Sequence, residues 1–180
     1  MIPIRQPPCS GKPLYARFSW VTLRSCNVFL PKPERDTGLF LILAHVADTP
    51  PVALERFESG SGWVAESEGG ILGYALSKPV DNLLFLDNIS TQPEAKGMGI
   101  GKKLLERFLV GAAKDGFDTV ALTTFRSPPW NGPWFRQFEF LPIPEVAIGP
   151  QLAAIIERQG TYLDPKQREA LSRRVSAIGA

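Results

Sequence analysis

Three glycines at alternate positions, Gly97, Gly99 and Gly101, stand between an apolar run and an amphipathic helix. That junction constrains the fold more than any other stretch of the chain. The apolar run at 83–86 reads as a strand that runs into a polar turn. Ile100, Leu104, Leu105, Phe108 and Ala112 then recur on one helical face, while Lys102, Lys103, Glu106, Arg107 and Lys114 lie mostly away from it. Gly116 stops the helix. Glycine permits positive φ and lets a ligand touch the main chain. The first amides of a helix have no intrahelical partner, and with the helix dipole they form an anion site suited to phosphate. The spacing is not the Gly-x-Gly-x-x-Gly of dinucleotide sites, and no Gly-Lys-Ser/Thr of a nucleotide P-loop follows. For the glycines alone, the competing reading is a tight strand-to-helix loop without a ligand.

Around this junction the pattern alternates. Residues 63–66 and 71–76 read as two strands joined by a hairpin turn at 68–70. Residues 83–90 and 119–124 are the third and fourth strands, and the helix between them implies a parallel crossover. The expected fold is therefore α/β, with a mixed, mostly antiparallel central sheet flanked by helices. Residues 138–141 and 145–148 are expected to form a closing hairpin. Residues 151–159 are expected to form a helix with Leu152, Ile155 and Ile156 inward. Asp164 and Pro165 are expected to cap a last helix whose Arg168, Arg173 and Arg174 make a solvated face. Residues 40–44 fit either strand or helix, and 51–58 fit a helix capped by Asp48 or Thr49. Residues 1–36, with Pro3, Pro7, Pro8, Pro13, Pro31 and Pro33, are expected to be an irregular, poorly ordered N-terminal segment. Within that segment 2–5 suits a short edge strand and 18–23 another. Residues 37–180 are read as a single domain.

A chain of 180 residues, 44% of them hydrophobic, suits one soluble domain with a sizeable core. The net charge of +2 is too small to point to a nucleic-acid or membrane surface, and neither partner is expected. Two cysteines make no disulfide framework, and no Cys-x-x-Cys or His cluster suggests a metal. No apolar run reaches the length of a membrane span, and Pro and polar residues break the N-terminal apolar stretches, so no secretory signal is expected. The expected location is the cytoplasm.

The order strand, Pro turn, basic residue, Gly-x-Gly-x-Gly, Leu-Leu helix and strand resembles the GNAT superfamily of acetyl-CoA-dependent N-acetyltransferases, from about residue 62 to the C-terminus. That family's Gln/Arg-x-x-Gly-x-Gly/Ala motif is matched by Lys96-Gly97-Met98-Gly99-Ile100-Gly101, with Lys in place of Arg or Gln. The resemblance implies acetyl-CoA as cosubstrate. Its diphosphate would lie on the main chain of Lys96, Gly97, Met98, Gly99, Ile100, Gly101 and Lys102. Ile89, Ser90 and Thr91 would give main-chain hydrogen bonds to the acetyl group and the pantetheine arm. A second family pattern, Asn-x-Pro-aromatic-Tyr-x-x-x-Gly-Phe, is matched at Asn131, Pro133, Trp134 and Phe140, but Phe135 replaces the Tyr and Glu139 the Gly. The tail, from the helix after Gly149-Pro150 to the Arg-rich end, resembles a bacterial subset of the family with unassigned substrates.

The implied chemistry is direct acetyl transfer to the primary amine of a small molecule, with a peptide N-terminus as the second choice. A main-chain amide, of Thr91 or Ser90, would stabilise the charge gained by the carbonyl oxygen. Asp87, which interrupts an apolar strand, is the candidate general base; its competing reading is a solvent-facing strand residue. Glu66 is a weaker candidate, and the lone His45 is read as structural. The family's Tyr often protonates the leaving thiolate, which Phe135 cannot do. Loss of one general acid costs about 10²–10⁴-fold unless water substitutes. With a thiol pKa of ~8.5, the thiolate leaves tolerably on its own. Asn131 is read first as a helix cap and second as a contact for coenzyme A. Trp134 and Phe138 are read as core aromatics. Phe135 and the irregular start motivate an alternative, a catalytically weak acyl-CoA-binding or sensor domain. A plain interaction domain is a further one. Homodimers occur in the family, and no feature of this chain demands one.

Overall fold

The computed structural model describes residues 3–5, 61–68 and 70–175. The expectations for 18–23, 40–44 and 51–58, and for His45, lie outside them. The elements are β1 (Ile4–Arg5), β2 (Ser61–Ser67), β3 (Gly70–Val80), β4 (Leu83–Thr91), α1 (Ile100–Lys114), β5 (Thr119–Phe125), α2 (Gly132–Arg136), β6 (Leu141–Pro142), α3 (Pro150–Gly160) and β7 (Arg168–Arg174). The strands form a seven-stranded sheet in the order β1-β2-β3-β4-β5-β7-β6. β4 and β5 pair in parallel, while β1 with β2, β2 with β3, β5 with β7 and β6 with β7 pair antiparallel. The sheet is thus mixed and mostly antiparallel, as the alternation of strand and helix patterns implied. The short strand anticipated at 2–5 is present as β1 at the sheet edge. No helix among the described residues is long and apolar enough to cross a membrane.

Two compact units are distinguishable, Met1–Ser77 with Asn88–Phe108, and Lys78–Asp87 with Leu109–Ala180. In the first, Trp63, Tyr74, Leu76, Ile100, Leu104 and Phe108 are all buried, and the rings of Trp63 and Phe108 meet edge to face at 5.9 Å. The helical period of α1 explains this burial, since it places its large apolar residues on one stripe. In the second unit, Val80, Phe85, Ala121, Leu152 and Ile155 form one cluster, with Leu83, Ile143, Ile148 and Ile156 packed against it. α3 enters the cluster with its N-terminus held by Asp81, in the turn between β3 and β4. The carboxylate of Asp81 accepts from the amides of Gln151 and Leu152, both at 3.1 Å. Gly149 is required beside that carboxylate, because a Cβ there would collide with its oxygens.

Two C-terminal expectations are overturned. The closing hairpin at 138–141 and 145–148 does not form. Glu139 turns the chain with φ of 62°, Pro142 and Pro144 remove ladder donors, β6 is only two residues long, and Glu145–Ala147 is a 3-10 turn. Glu139 stands where the family pattern has Gly, and it keeps the left-handed backbone that Gly favours. The last helix does not form either. Asp164 does cap, accepting from the Lys166 amide at 3.0 Å, but the helix is a single 3-10 turn, Pro165–Gln167. The chain continues as β7, paired with all seven residues of β5 from Thr119↔Arg174 to Phe125↔Arg168. Glu169 and Leu171 are buried in alternation, which is a strand period, and pairing satisfies a β5 edge that a helix would have left open. Of its arginines only Arg174 is exposed, and the other two are engaged. Arg168 donates to Thr123 and Gln159, and Arg173 donates to the Phe138 carbonyl at 3.0 Å and pairs with Glu139.

Candidate active site

The C-terminal end of β4 is held by β3. β3 carries one extra residue, Leu72, because Ala65 pairs with Gly73 while Glu66 pairs with Ile71. Gln92 closes on this bulge, donating its amide to the Leu72 carbonyl at 2.8 Å and its side-chain nitrogen to the Ile71 carbonyl at 2.6 Å. Gly73 lets the two backbones approach, since a Cβ there would stand 2.7 Å from the Ser90 carbonyl oxygen and 3.1 Å from Thr91 Cα. Ile89, Ser90 and Thr91 lie on this clamped segment and are all partly exposed. The Ser90 hydroxyl donates to Asn88 Oδ1 at 2.8 Å.

From Gln92 the chain makes one 3-10 turn, Pro93–Ala95, and then the glycine turn into α1. Ala95 and Ile100 are buried and anchor the two ends, while 96–99 are exposed. Gly97 and Gly99 adopt φ of 79° and 70°, so both glycines are needed for the path of the main chain. The Lys96 amide donates to Pro93 and the Met98 amide to Ala95, each at 3.1 Å. Those two nitrogens are turned inward. The amides of Gly97, Gly99, Ile100, Gly101 and Lys102 have no acceptor among the described residues, and the first internal bond of the helix start is Lys103 to Gly99 at 3.1 Å. The space beside Gly97 and Gly99 is open, with nothing within 4 Å of an added Cβ. Five unpartnered amides at the positive end of a fifteen-residue helix suit a diphosphate, whose oxygens supply the missing acceptors. The residues present therefore fit the diphosphate part of coenzyme A. Lys96 can add charge only through its exposed side chain, and Lys102 lies 3.8 Å from Glu106.

Asp87 is not a solvent-facing strand residue. Its side chain is 5% exposed, and Oδ1 lies 3.4 Å from Lys78 Nζ. Lys78 was not anticipated, since its place beside Asp87 follows from the register of neighbouring strands and not from any motif.

At the end of β5, Asn131 occupies the N-cap position of α2, but its side chain caps nothing. A cap oxygen bonds the second or third amide of a helix, and the second residue here is Pro133, which has none. Asn131 Oδ1 instead accepts from the buried Thr124 hydroxyl at 3.0 Å. Phe135 is buried and packs edge to face against Trp134 at 4.9 Å and Phe140 at 5.7 Å. Trp134 also meets Phe138 at 4.9 Å, so the aromatic run forms one cluster; Trp134 and Phe138 are half-buried at its margin, and only Phe135 and Phe140 are buried in it. On the same side Glu169, 7% exposed, receives Arg136 Nη2 on both oxygens at 2.6 and 2.7 Å.

The family model described as the acetyltransferase (GNAT) family matches residues 29–138, more than half of the chain. The fold is similar to that of the ribosomal-protein-S18-alanine N-acetyltransferase from Escherichia coli, with 15% identity and a TM-score of 0.57 over 99% of this chain and 97% of that one. It is similar to a GNAT family acetyltransferase from Elizabethkingia anophelis with acetyl-CoA bound, with 15% identity and a TM-score of 0.54 over 96% and 97% of the two chains. It is also similar to N-acetylglutamate synthase from Neisseria gonorrhoeae complexed with coenzyme A and N-acetyl-glutamate, with 18% identity and a TM-score of 0.54 over 68% of this chain. The matched part is 27% of that synthase. At these identities the likeness is one of fold, and it is the family model that carries membership. This chain belongs to the acetyltransferase (GNAT) family.

Proposed function

We propose that the protein transfers the acetyl group of acetyl-CoA directly to the primary amine of a small molecule, with a peptide N-terminus as the second choice of acceptor. The observation that carries the cosubstrate is the set of five unpartnered amides at Gly97, Gly99, Ile100, Gly101 and Lys102. In this reading those amides and the Lys96 side chain hold the diphosphate. Met98, its amide turned inward, contributes only its exposed side chain to the wall of the loop. The main chain of Ile89, Ser90 and Thr91 binds the acetyl and pantetheine end, on a segment fixed by Gln92 and Gly73. The Thr91 amide donates to the carbonyl oxygen as it gains charge. Asp87 accepts the proton of the amine, directly or through one water, and Lys78 orients the carboxylate. Asn131 is a secondary contact for coenzyme A, positioned by Thr124. The acetyl thioester supplies the activated carbonyl, and water protonates the departing thiolate.

Acceptor chemistry among the similar folds spans both classes. One is named for a protein alanine and another for glutamate. Thiol release from acetyl-CoA across a panel of small primary amines and short peptides tests the assignment. Turnover on small amines supports it, and turnover confined to peptides would replace it. A second reading, a weakly catalytic acyl-CoA-binding or sensor domain, is favoured by one observation. Phe135 is sealed in an aromatic cluster and brings no proton to the thiolate. Binding of acetyl-CoA without thiol release on any amine would establish that reading instead.

A further inference from the structure

Arg168 carries a charge that the described residues leave without a counter-charge. It opens β7, and its Nη2 donates to Thr123 Oγ1 and Gln159 Oε1, both at 3.1 Å and both neutral. Its guanidinium carbon stands 4.8 Å from the centroid of the Phe125 ring. No carboxylate lies within ion-pair distance of it among the described residues. Its neighbour Glu169 lines the same cavity together with Arg126, but its carboxylate is already engaged: Arg136 holds both oxygens and Arg126 stands 3.6 Å away. Burial lowers the Arg168 pKa to about 10, with Tyr162 opposing the shift, so the group stays charged at neutral pH. Arg168 is half-buried, and charges drawn out of water are ordinarily paired. Here Nε and Nη1 have no acceptor among the described residues.

Arg168 lines a cavity of about 260 Å³. Ile143, Ile156 and Leu163 supply apolar lining, and Thr123 and Gln159 supply polar lining. Glu145 also borders it, but from an exposed 3-10 turn. At ~30 Å³ per water the cavity holds the volume of roughly nine waters, room for a branched six-carbon acid. We propose that this cavity binds a small carboxylate with an apolar body, its oxygens on Nε and Nη1 of Arg168 and its body against Ile143, Ile156 and Leu163. A planar guanidinium presents two parallel donors to such a group, which is the geometry that favours arginine over lysine for carboxylates. The site is built only from residues of the second unit, and none of its lining residues is among those proposed to hold coenzyme A.

Calorimetry on the full chain without coenzyme A, using 4-methylpentanoate, 4-methylpentanamide and 4-methylpentylamine, tests this. The carboxylate is expected to bind, and the amide and amine to bind at least tenfold more weakly. Arg168→Gln should lose at least tenfold in affinity for the carboxylate. Gln159→Glu places a carboxylate where the amide oxygen now meets Nη2. It should raise the melting temperature and weaken ligand binding at least tenfold with the guanidinium intact. Because it keeps Arg168, this second variant decides the matter even if Arg168→Gln folds poorly. No binding of the carboxylate, equal binding of the amide, or wild-type affinity in Gln159→Glu would overturn the proposal.

Discussion

The main chain of Ser90 passes so close to Gly73 that any side chain at Gly73 would press on the Ser90 carbonyl oxygen. The neighbouring atoms are backbone, which cannot swing aside. Gly73→Ala is therefore expected to destabilise the fold by about 1–3 kcal/mol, the usual cost of overpacking. It should also weaken coenzyme A binding, because the end of β4 must shift. Denaturant unfolding and calorimetry on the one variant measure both. Wild-type stability would mean that β3 gives way without strain.

Gly99 and Gly116 share a left-handed backbone, with φ of 70° and 82°, and neither has an atom within 4 Å of an added Cβ. Alanine at either is thus expected to lose about 1–2 kcal/mol through backbone strain alone. Only Gly99→Ala should weaken coenzyme A, by at least about tenfold, since it re-aims amides at charged oxygens. Equal coenzyme affinity in the two variants would remove the glycine turn from the site.

Asp87 and Lys78 form a pair with a nearly buried carboxylate, which fits a proton acceptor and fits a structural ion pair equally well in geometry. Asp87→Asn separates them. As general base, its loss should lower kcat by about 10²–10⁴-fold while the affinity for coenzyme A holds. A fall in melting temperature with unchanged kcat would make the pair structural.

Asp81 has φ of 52° and caps α3 from a distant turn. Asp81→Gly keeps the backbone and removes the cap. The expected cost is about 0.5–2 kcal/mol in stability, with kcat and coenzyme affinity unchanged.

Much of this was legible in the sequence because it is local. The period of 100–114, the stop at Gly116 and the glycine turn each follow from a few adjacent residues. The failures came where distant pairing decided. Residues 168–174 carry both an Arg-rich helical look and a strand alternation, and only the need of β5 for a partner selects the strand. Asn131 looked like a cap until Pro133 removed one of the amides it would serve. Gly73 carried a readable signal, a lone glycine inside a strand pattern, which points to a bulge or a close backbone approach. Gln92 and Lys78 carried none, since their partners are set by strand register.

In the proposed function the unpartnered main-chain nitrogens at 97 and 99–102 would hold the diphosphate of the cosubstrate. Titration calorimetry with dephospho-coenzyme A, which keeps that group, against pantetheine, which lacks it, measures this directly. The expected result is that dephospho-coenzyme A binds at least about tenfold more tightly. Equal affinity for the two, or no binding of dephospho-coenzyme A, would contradict it.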